Sequence, residues 1–110
     1  MKKEQNSKYP VMVDLIIKRE WFDKILSGEK KEEYRTPSAF NNRLLGFKDT
    51  NGKYSPRTDV THVRFFNGYQ KDRKYMIVEC KKIRAEKKIE EKITYIRIVI
   101  DLGDIAESNV

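Results

Sequence analysis

The most informative stretch of this chain is Gly28-Glu29-Lys30-Lys31-Glu32-Glu33-Tyr34-Arg35. It follows an amphipathic segment from about Arg19 to Ser27, which predicts a helix of about two to three turns that the glycine ends. The residues after this turn predict a strand, and side chains alternate between the two faces of a strand. Glu33 and Arg35 are therefore expected on one face, with Lys30 at the turn beside them. Such a compact polar cluster suits a polar ligand better than it suits a core.

The composition predicts one soluble domain. A chain of 110 residues with 38% hydrophobic residues can form one modest core. No apolar run is long enough for a membrane span, and the N-terminus lacks the apolar region of a signal peptide. Cys80 is the single cysteine, so no internal disulfide and no Cys/His zinc site is expected. We expect a cytoplasmic protein with no membrane contact, no metal and no cofactor.

The net charge of +7 favours an anionic partner, although a solubilising surface explains such an excess equally well. Basic and aromatic residues are interleaved between Lys53 and Tyr75. Single-stranded RNA is recognised by cations that bind phosphates and rings that stack on bases. Within this region Arg64, Phe65 and Tyr69 are candidate ligand-binding residues.

The periodicity predicts a mainly β architecture. Strands are expected over Val11–Ile17, Lys31–Arg35, Val60–Phe66, Tyr75–Ile83 and Tyr95–Ile100. The third and fourth of these form a predicted hairpin. The charged run between the last two strands, Arg84–Lys92, is interpreted as a solvated connection.

The region from Thr36 to Asp59 is expected to be long and partly irregular, with one or two helical turns over Ala39–Leu45 and a hairpin turn at Asp49–Gly52. Residues 1–9 are interpreted as a flexible basic tail, residues 10–106 as the single domain and residues 107–110 as a C-terminal tail. Five to seven strands with one or two flanking helices predict a small, curled β-barrel of the α+β class.

The order of these features resembles an ASCH domain, a member of the PUA-like superfamily. The resemblance rests on Gly-x-Lys-x-x-Glu-x-Arg over Gly28–Arg35 directly after the helix, and it extends through Val63–Tyr69 to Ile100–Gly103. It covers nearly the whole chain from Val11 to Ile105. It implies a PUA-like barrel with a cleft beside the motif, and a protein that binds RNA or nucleotides.

In the binding hypothesis, Lys30 and Arg35 hold a phosphate or a base oxygen, and Glu33 accepts hydrogen bonds from a base or ribose. Tyr34, with Phe65 and Tyr69, is a candidate for stacking on bases. The helical spacing instead assigns Trp21 and Phe22 to the core.

An enzyme is the alternative hypothesis. Relatives that act as amidohydrolases on modified nucleosides resemble this chain at Lys30 and Arg35, but they carry a catalytic threonine where this chain has Glu33. The resemblance also allows a ribonuclease, in which Lys30 stabilises phosphate charge and Glu33 is the general base. His62 is a further acid–base candidate, although a lone histidine at a strand start is more often structural.

Structural roles are also possible for the polar residues of the motif and of the later strands. Glu33 and Arg35 can form a purely structural ion pair, in which case the domain serves to bind a protein partner. Glu79 lies either near the cleft or on the outside of a strand, where it balances Lys81. Cys80 is expected to lie in the core or the sheet without a reactive role.

Overall fold

A computed structural model describes residues 8–37, 44–48, 54–69 and 71–110. These residues form one helix and seven strands. In chain order they are β1 (Met12–Ile17), α1 (Arg19–Leu26), β2 (Glu32–Arg35), β3 (Leu45–Lys48), β4 (Tyr54–Pro56), β5 (His62–Asn67), β6 (Tyr75–Glu90) and β7 (Ile93–Ser108). The mainly β prediction is confirmed.

Five strands form a mixed sheet in the order β1-β5-β6-β7-β2. β1 pairs in parallel with β5, and the other neighbours pair antiparallel. β3 and β4 form a separate antiparallel pair. The predicted hairpin of the third and fourth expected strands is therefore present as β5 and β6.

One side chain links β1 and β2, the two edge strands of the five-stranded sheet. The Arg35 guanidinium on β2 donates from Nη2 to the carbonyl of Ile16 on β1 at 3.1 Å. Within the described residues, no backbone ladder joins β1 to β2. The sheet therefore bends enough for a side chain to link its edges.

Helix α1 connects β1 to β2 and packs one face onto the sheet. Phe22 and Ile25 are buried, as the helical spacing predicts. The helix ends as expected, because the Ser27 amide donates to the carbonyl of Asp23 and Gly28 has a φ of 85°. The prediction that Trp21 belongs to the core is wrong, since the side chain is 38% exposed at the flank of the helix.

The core lies between α1 and one face of the sheet. Alternate residues of β1 and β5 point into it, as the period of two requires. Its fully buried side chains are Leu15, Phe22, Leu44, Val63, Phe65, Met76, Val78, Ile98 and Ile100.

The segment Arg84–Lys92 is not a solvated connection, which corrects the sequence prediction. β6 continues to Glu90, and a two-residue turn leads directly into β7. The first turn residue, Glu91, has a φ of 53°. Charged side chains occupy this ribbon because both of its faces reach solvent, so the usual apolar alternation is lost. The closing strand is correspondingly longer than Tyr95–Ile100.

Some residues that the sequence analysis assigned to the two tails contact the folded domain. The Tyr9 side chain is buried, its ring packs edge-on against His62, and its hydroxyl donates to Glu107 at 2.8 Å. Glu107 and Ser108 belong to β7, and the Asn109 side chain accepts a hydrogen bond from the Tyr75 amide. The sequence pattern missed these contacts because they join residues far apart along the chain.

Two predictions fall mainly outside the described residues. They are the helical turns over Ala39–Leu45, of which only the last two residues are described, and the turn at Asp49–Gly52. Leu45 begins β3, and the strands on either side of the predicted turn do pair antiparallel. No helix in the described part of the chain is long and apolar enough to cross a membrane.

Candidate functional site

Glu33 is the only buried charged residue in the described part of the chain, and its neighbours compensate its charge. It lies on β2 opposite Ile100 and is 6% exposed. Arg35 Nε donates to Oε2 at 2.9 Å, and Lys30 Nζ lies 3.7 Å from Oε1. The structure thus brings together the three predicted residues, with Glu33 between two cations.

Lys30 is also packed between two aromatic rings. Its Nζ lies 5.3 Å from the centroid of the Trp21 ring and 4.7 Å from that of Tyr34. These distances are within the range of a cation–π interaction. Its backbone amide donates to the carbonyl of Lys24, which closes the turn after the helix. The ammonium group therefore has a defined position at the open edge of β2.

A groove of about 450 Å³ opens beside this ammonium group. It is lined by Trp21, Lys24, Glu29, Lys30, Lys31, Glu32 and Tyr34, and we call it the Lys30 groove. Glu33 and Arg35 do not line it. The groove combines three lysines with two partly exposed rings, a composition suited to an anionic ligand with a planar group.

An ion-pair network covers the outer face of the sheet next to the groove. Arg84 pairs with Asp101 and Glu32 at 2.9 and 2.8 Å, and with Glu86 at 3.4 Å. The hydrogen bond from Arg84 lowers the pKa of Asp101, although partial burial opposes this effect. Arg97 completes the network by pairing with Glu86 at 3.3 Å.

Tyr34 connects this network to the groove. The Arg97 guanidinium lies 3.9 Å from the centroid of the Tyr34 ring, and the Tyr34 hydroxyl donates to Glu32. That hydrogen bond, together with burial, raises the pKa of the Tyr34 hydroxyl. Because the guanidinium and the Lys30 ammonium both contact the ring, Tyr34 is held in place at the wall of the groove.

The other predicted ligand-binding residues lie elsewhere. Phe65 is fully buried in the core, so its ring has no face available for stacking in this structure. Arg64 lies on the outer face of β5 and forms two hydrogen bonds of 2.9 Å with Asp14. Tyr69 lies at the turn after β5 and is 83% exposed. None of the three lines the Lys30 groove.

His62 and Glu79 face each other across β5 and β6, in a separate groove of about 400 Å³. His62 Nδ1 lies 2.9 Å from the Thr61 hydroxyl, and Glu79 accepts a hydrogen bond from the Asp104 amide. This groove shares no lining residue with the Lys30 groove. His62 is therefore not placed to assist Lys30 or Glu33.

Cys80 is buried in β6, as the sequence predicts. Burial raises the pKa of its thiol to about 11, so little reactive thiolate forms near neutral pH. Among the described residues, no three of His, Cys, Asp and Glu are arranged to hold a metal ion.

The sequence pattern assigned no binding role to five of the lining residues, Trp21, Lys24, Glu29, Lys31 and Glu32, of which Trp21 and Lys24 belong to α1. Trp21 and Lys24 lie on the flank of α1 that faces the turn between α1 and β2. The hydrophobic periodicity of the helix does not distinguish this flank from the side that faces the core. The one available signal is the spacing of three residues between Trp21 and Lys24, which places them on the same side of a helix.

Comparison with known proteins adds no relative: no family model, no curated protein and no solved structure matches the chain.

Proposed function

We propose that this protein binds RNA or nucleotides in the Lys30 groove. The position of the Lys30 ammonium group carries the proposal, because it lies at the groove wall between two rings that are 38% and 40% exposed. A cation between two accessible rings suits a ligand that joins a phosphate to a planar base. Lys31 adds positive charge at the same groove. Lys24 is instead paired with Glu29 at 3.7 Å, and Glu32 is paired with Arg84.

The contacts also suggest how the residues of the motif divide their roles. Lys30 meets the ligand, and Trp21 stacks on its base. Tyr34, whose ring already stacks under the Arg97 guanidinium, contacts the base through the exposed part of its ring. Glu33 and Arg35 do not contact the ligand. The Glu33 carboxylate positions the Lys30 ammonium group, and the Arg35 guanidinium links β2 to β1. This assignment differs from the sequence hypothesis, in which Glu33 and Arg35 contact the ligand directly.

We also propose that the chain belongs to the ASCH group and that its sheet forms a PUA-like barrel. The helix followed by the Gly-x-Lys-x-x-Glu-x-Arg motif supports this membership, as does a sheet whose edge strands are linked through Arg35. A nucleoside hydrolase or ribonuclease at the same groove remains the alternative. It is less well supported, since both Glu33 oxygens already contact cations and a general-base role requires breaking one of these contacts.

The binding proposal is tested by fluorescence anisotropy with a short labelled oligouridine. We expect Lys30→Met to weaken binding by about fivefold or more because it removes the ammonium group that meets the phosphate. We expect a similar loss for Tyr34→Leu, since an aromatic contact with one base contributes about 1–3 kcal/mol. Matched controls are Lys87→Met and Tyr95→Leu on the β6–β7 hairpin, where both residues are exposed. Their affinities should stay within about twofold of the wild type.

Equal affinities for the groove variants and their controls would refute the proposal, provided that circular dichroism shows each variant to be folded. Incubation of the wild type with RNA or an acylated nucleoside tests the alternative. Product formation that Lys30→Met abolishes would establish an enzyme instead of a binding module.

A further inference from the structure

A second basic and aromatic surface lies at the turn between β5 and β6. Two grooves of about 460 and 640 Å³ adjoin there and share Tyr69, Asp72 and Arg73 in their linings. We call this region the turn surface and define it by the side chains of Phe66, Tyr69, Lys71, Asp72, Arg73, Lys74 and Tyr75. It shares no lining residue with the Lys30 groove.

The rings of the turn surface are accessible or stacked under cations. Tyr69 is 83% exposed, the highest value among the large hydrophobic side chains of the described residues. The Arg73 guanidinium lies 3.9 Å from the centroid of the Phe66 ring, and the Tyr75 ring lies 6.2 Å from the same centroid. An exposed tyrosine beside a guanidinium stacked on a ring offers two flat surfaces to a base.

The cations of this surface outnumber its carboxylates. The turn itself carries three cations, Lys71, Arg73 and Lys74, and one carboxylate, Asp72. Within the described residues, neither lysine lies within ion-pair distance of a carboxylate, and the Arg73 guanidinium donates to the carbonyl of Gly68 at 3.3 Å. The nearby Asp23 on α1 is already paired with Arg19. Positive charge is therefore available to an anionic ligand.

Helix α1 lies between the turn surface and the Lys30 groove. Arg19 and Asp23 line the side towards the turn, whereas Trp21 and Lys24 line the side towards Lys30. An α-helix with its side chains is about 10–12 Å across. One strand of several nucleotides is long enough to reach both sides of this helix.

We propose that the turn surface binds single-stranded nucleic acid, with Lys71, Arg73 and Lys74 at phosphates and Tyr69 stacked on a base. The binding at this surface rests on its own side chains. The extension of the same strand to the Lys30 groove rests on the function proposed above. An acidic protein segment is a weaker fit, because carboxylates use the cations and leave the exposed ring without a planar partner.

The test measures anisotropy of a labelled oligouridine of about twelve nucleotides at about 50 and 200 mM salt. We expect Tyr69→Ala and the double variant Lys71→Ala/Lys74→Ala each to weaken binding by about fivefold or more. The salt dependence of the double variant should be shallower by about 0.7 for each phosphate that the removed lysines neutralise in the wild type. The control is Lys87→Ala/Lys92→Ala, which removes the same charge from exposed positions on the β6–β7 hairpin.

The possible results separate the two proposals. Turn-surface variants that bind like the control would overturn this inference, whatever Lys30→Met does. Weakening by the turn-surface variants without any effect of Lys30→Met would refute the Lys30 groove and leave the turn surface established. A glutamate-rich peptide that binds as tightly as the oligonucleotide, with the same loss in Tyr69→Ala, would show that the surface takes an acidic protein and would overturn the inference.

Discussion

At the residue scale, the burial of Glu33 is the most consequential feature of the chain. A carboxylate removed from water is costly unless charged partners and hydrogen bonds compensate it. Arg35 provides a hydrogen bond at 2.9 Å, and Lys30 provides a second positive charge. The three residues therefore depend on one another, and the cluster is structural as well as a candidate site.

Glu33→Gln tests this dependence. The amide retains the shape of the carboxylate but leaves Lys30 and Arg35 without an opposite charge. We expect a loss of about 3 kcal/mol in the free energy of unfolding, measured by urea denaturation. The control is Glu29→Gln, which removes a carboxylate from the exposed pair with Lys24 and should cost less than about 0.5 kcal/mol. A loss in Glu33→Gln no greater than that of the control would contradict the structural role.

At the scale of elements, the long β6–β7 hairpin is stabilised by cross-strand ion pairs. Arg84 on β6 pairs with Asp101 on β7, and Arg97 on β7 pairs with Glu86 on β6. Opposite charges on neighbouring strands contribute modestly, and less where solvent screens them. The hairpin therefore keeps its register with few apolar contacts near its tip.

The Arg84–Asp101 pair predicts a dependence of stability on pH. The hydrogen bond from Arg84 lowers the pKa of folded Asp101 below its ordinary value of 3.8. The stability that this pair contributes is therefore complete above about pH 5, where Asp101 is ionised in both the folded and the unfolded chain, and it is lost as the pH falls through the lowered pKa. Urea denaturation from pH 6 to pH 2 should show the wild type approaching the stability of Asp101→Asn at the acid end. Asp104→Asn, which removes an exposed carboxylate outside this network, should follow the wild-type profile. A constant difference between wild type and Asp101→Asn would contradict the prediction.

At the scale of the whole molecule, one core and a bent sheet bring distant parts of the chain together. Tyr9 near one end contacts Glu107 near the other, and β1 pairs with β5 about fifty residues away. The Lys30 groove and the turn surface lie on opposite sides of α1 as a result of this arrangement. The binding surfaces thus depend on the packing of α1 against the sheet.

Substitution of Phe65 and of Tyr69 tests which aromatic side chains stabilise the packed core. Phe65→Ala should lower the free energy of unfolding by about 3–5 kcal/mol, because its buried ring leaves a cavity. Tyr69→Ala should change it by less than about 0.5 kcal/mol, because its ring is exposed. Urea denaturation of both variants gives the comparison directly. Similar losses for the two variants would contradict the division between core and surface.

The local order of the first elements is predictable from sequence, and the site is predictable in part. The helix after β1, its end at Gly28 and the shared face of Glu33 and Arg35 all follow from short-range periodicity. The exposure of Trp21 and the full length of β6 do not follow from this periodicity. The exposure of Trp21 depends on where the turn after α1 lies. The length of β6 depends on charge pairs across a ribbon whose polar sequence resembles a loop.

The mainly β class and the proximity of Lys30, Glu33 and Arg35 follow from the amino-acid pattern, because both depend on spacings of only a few residues. The packing of the elements adds that Glu33 is buried and that Lys30 lies between Trp21 and Tyr34. It also places Phe65 in the core and Tyr69 at the surface. Burial and ring contacts arise between elements. Strand order and helix packing set those contacts, and neither is encoded in the local pattern.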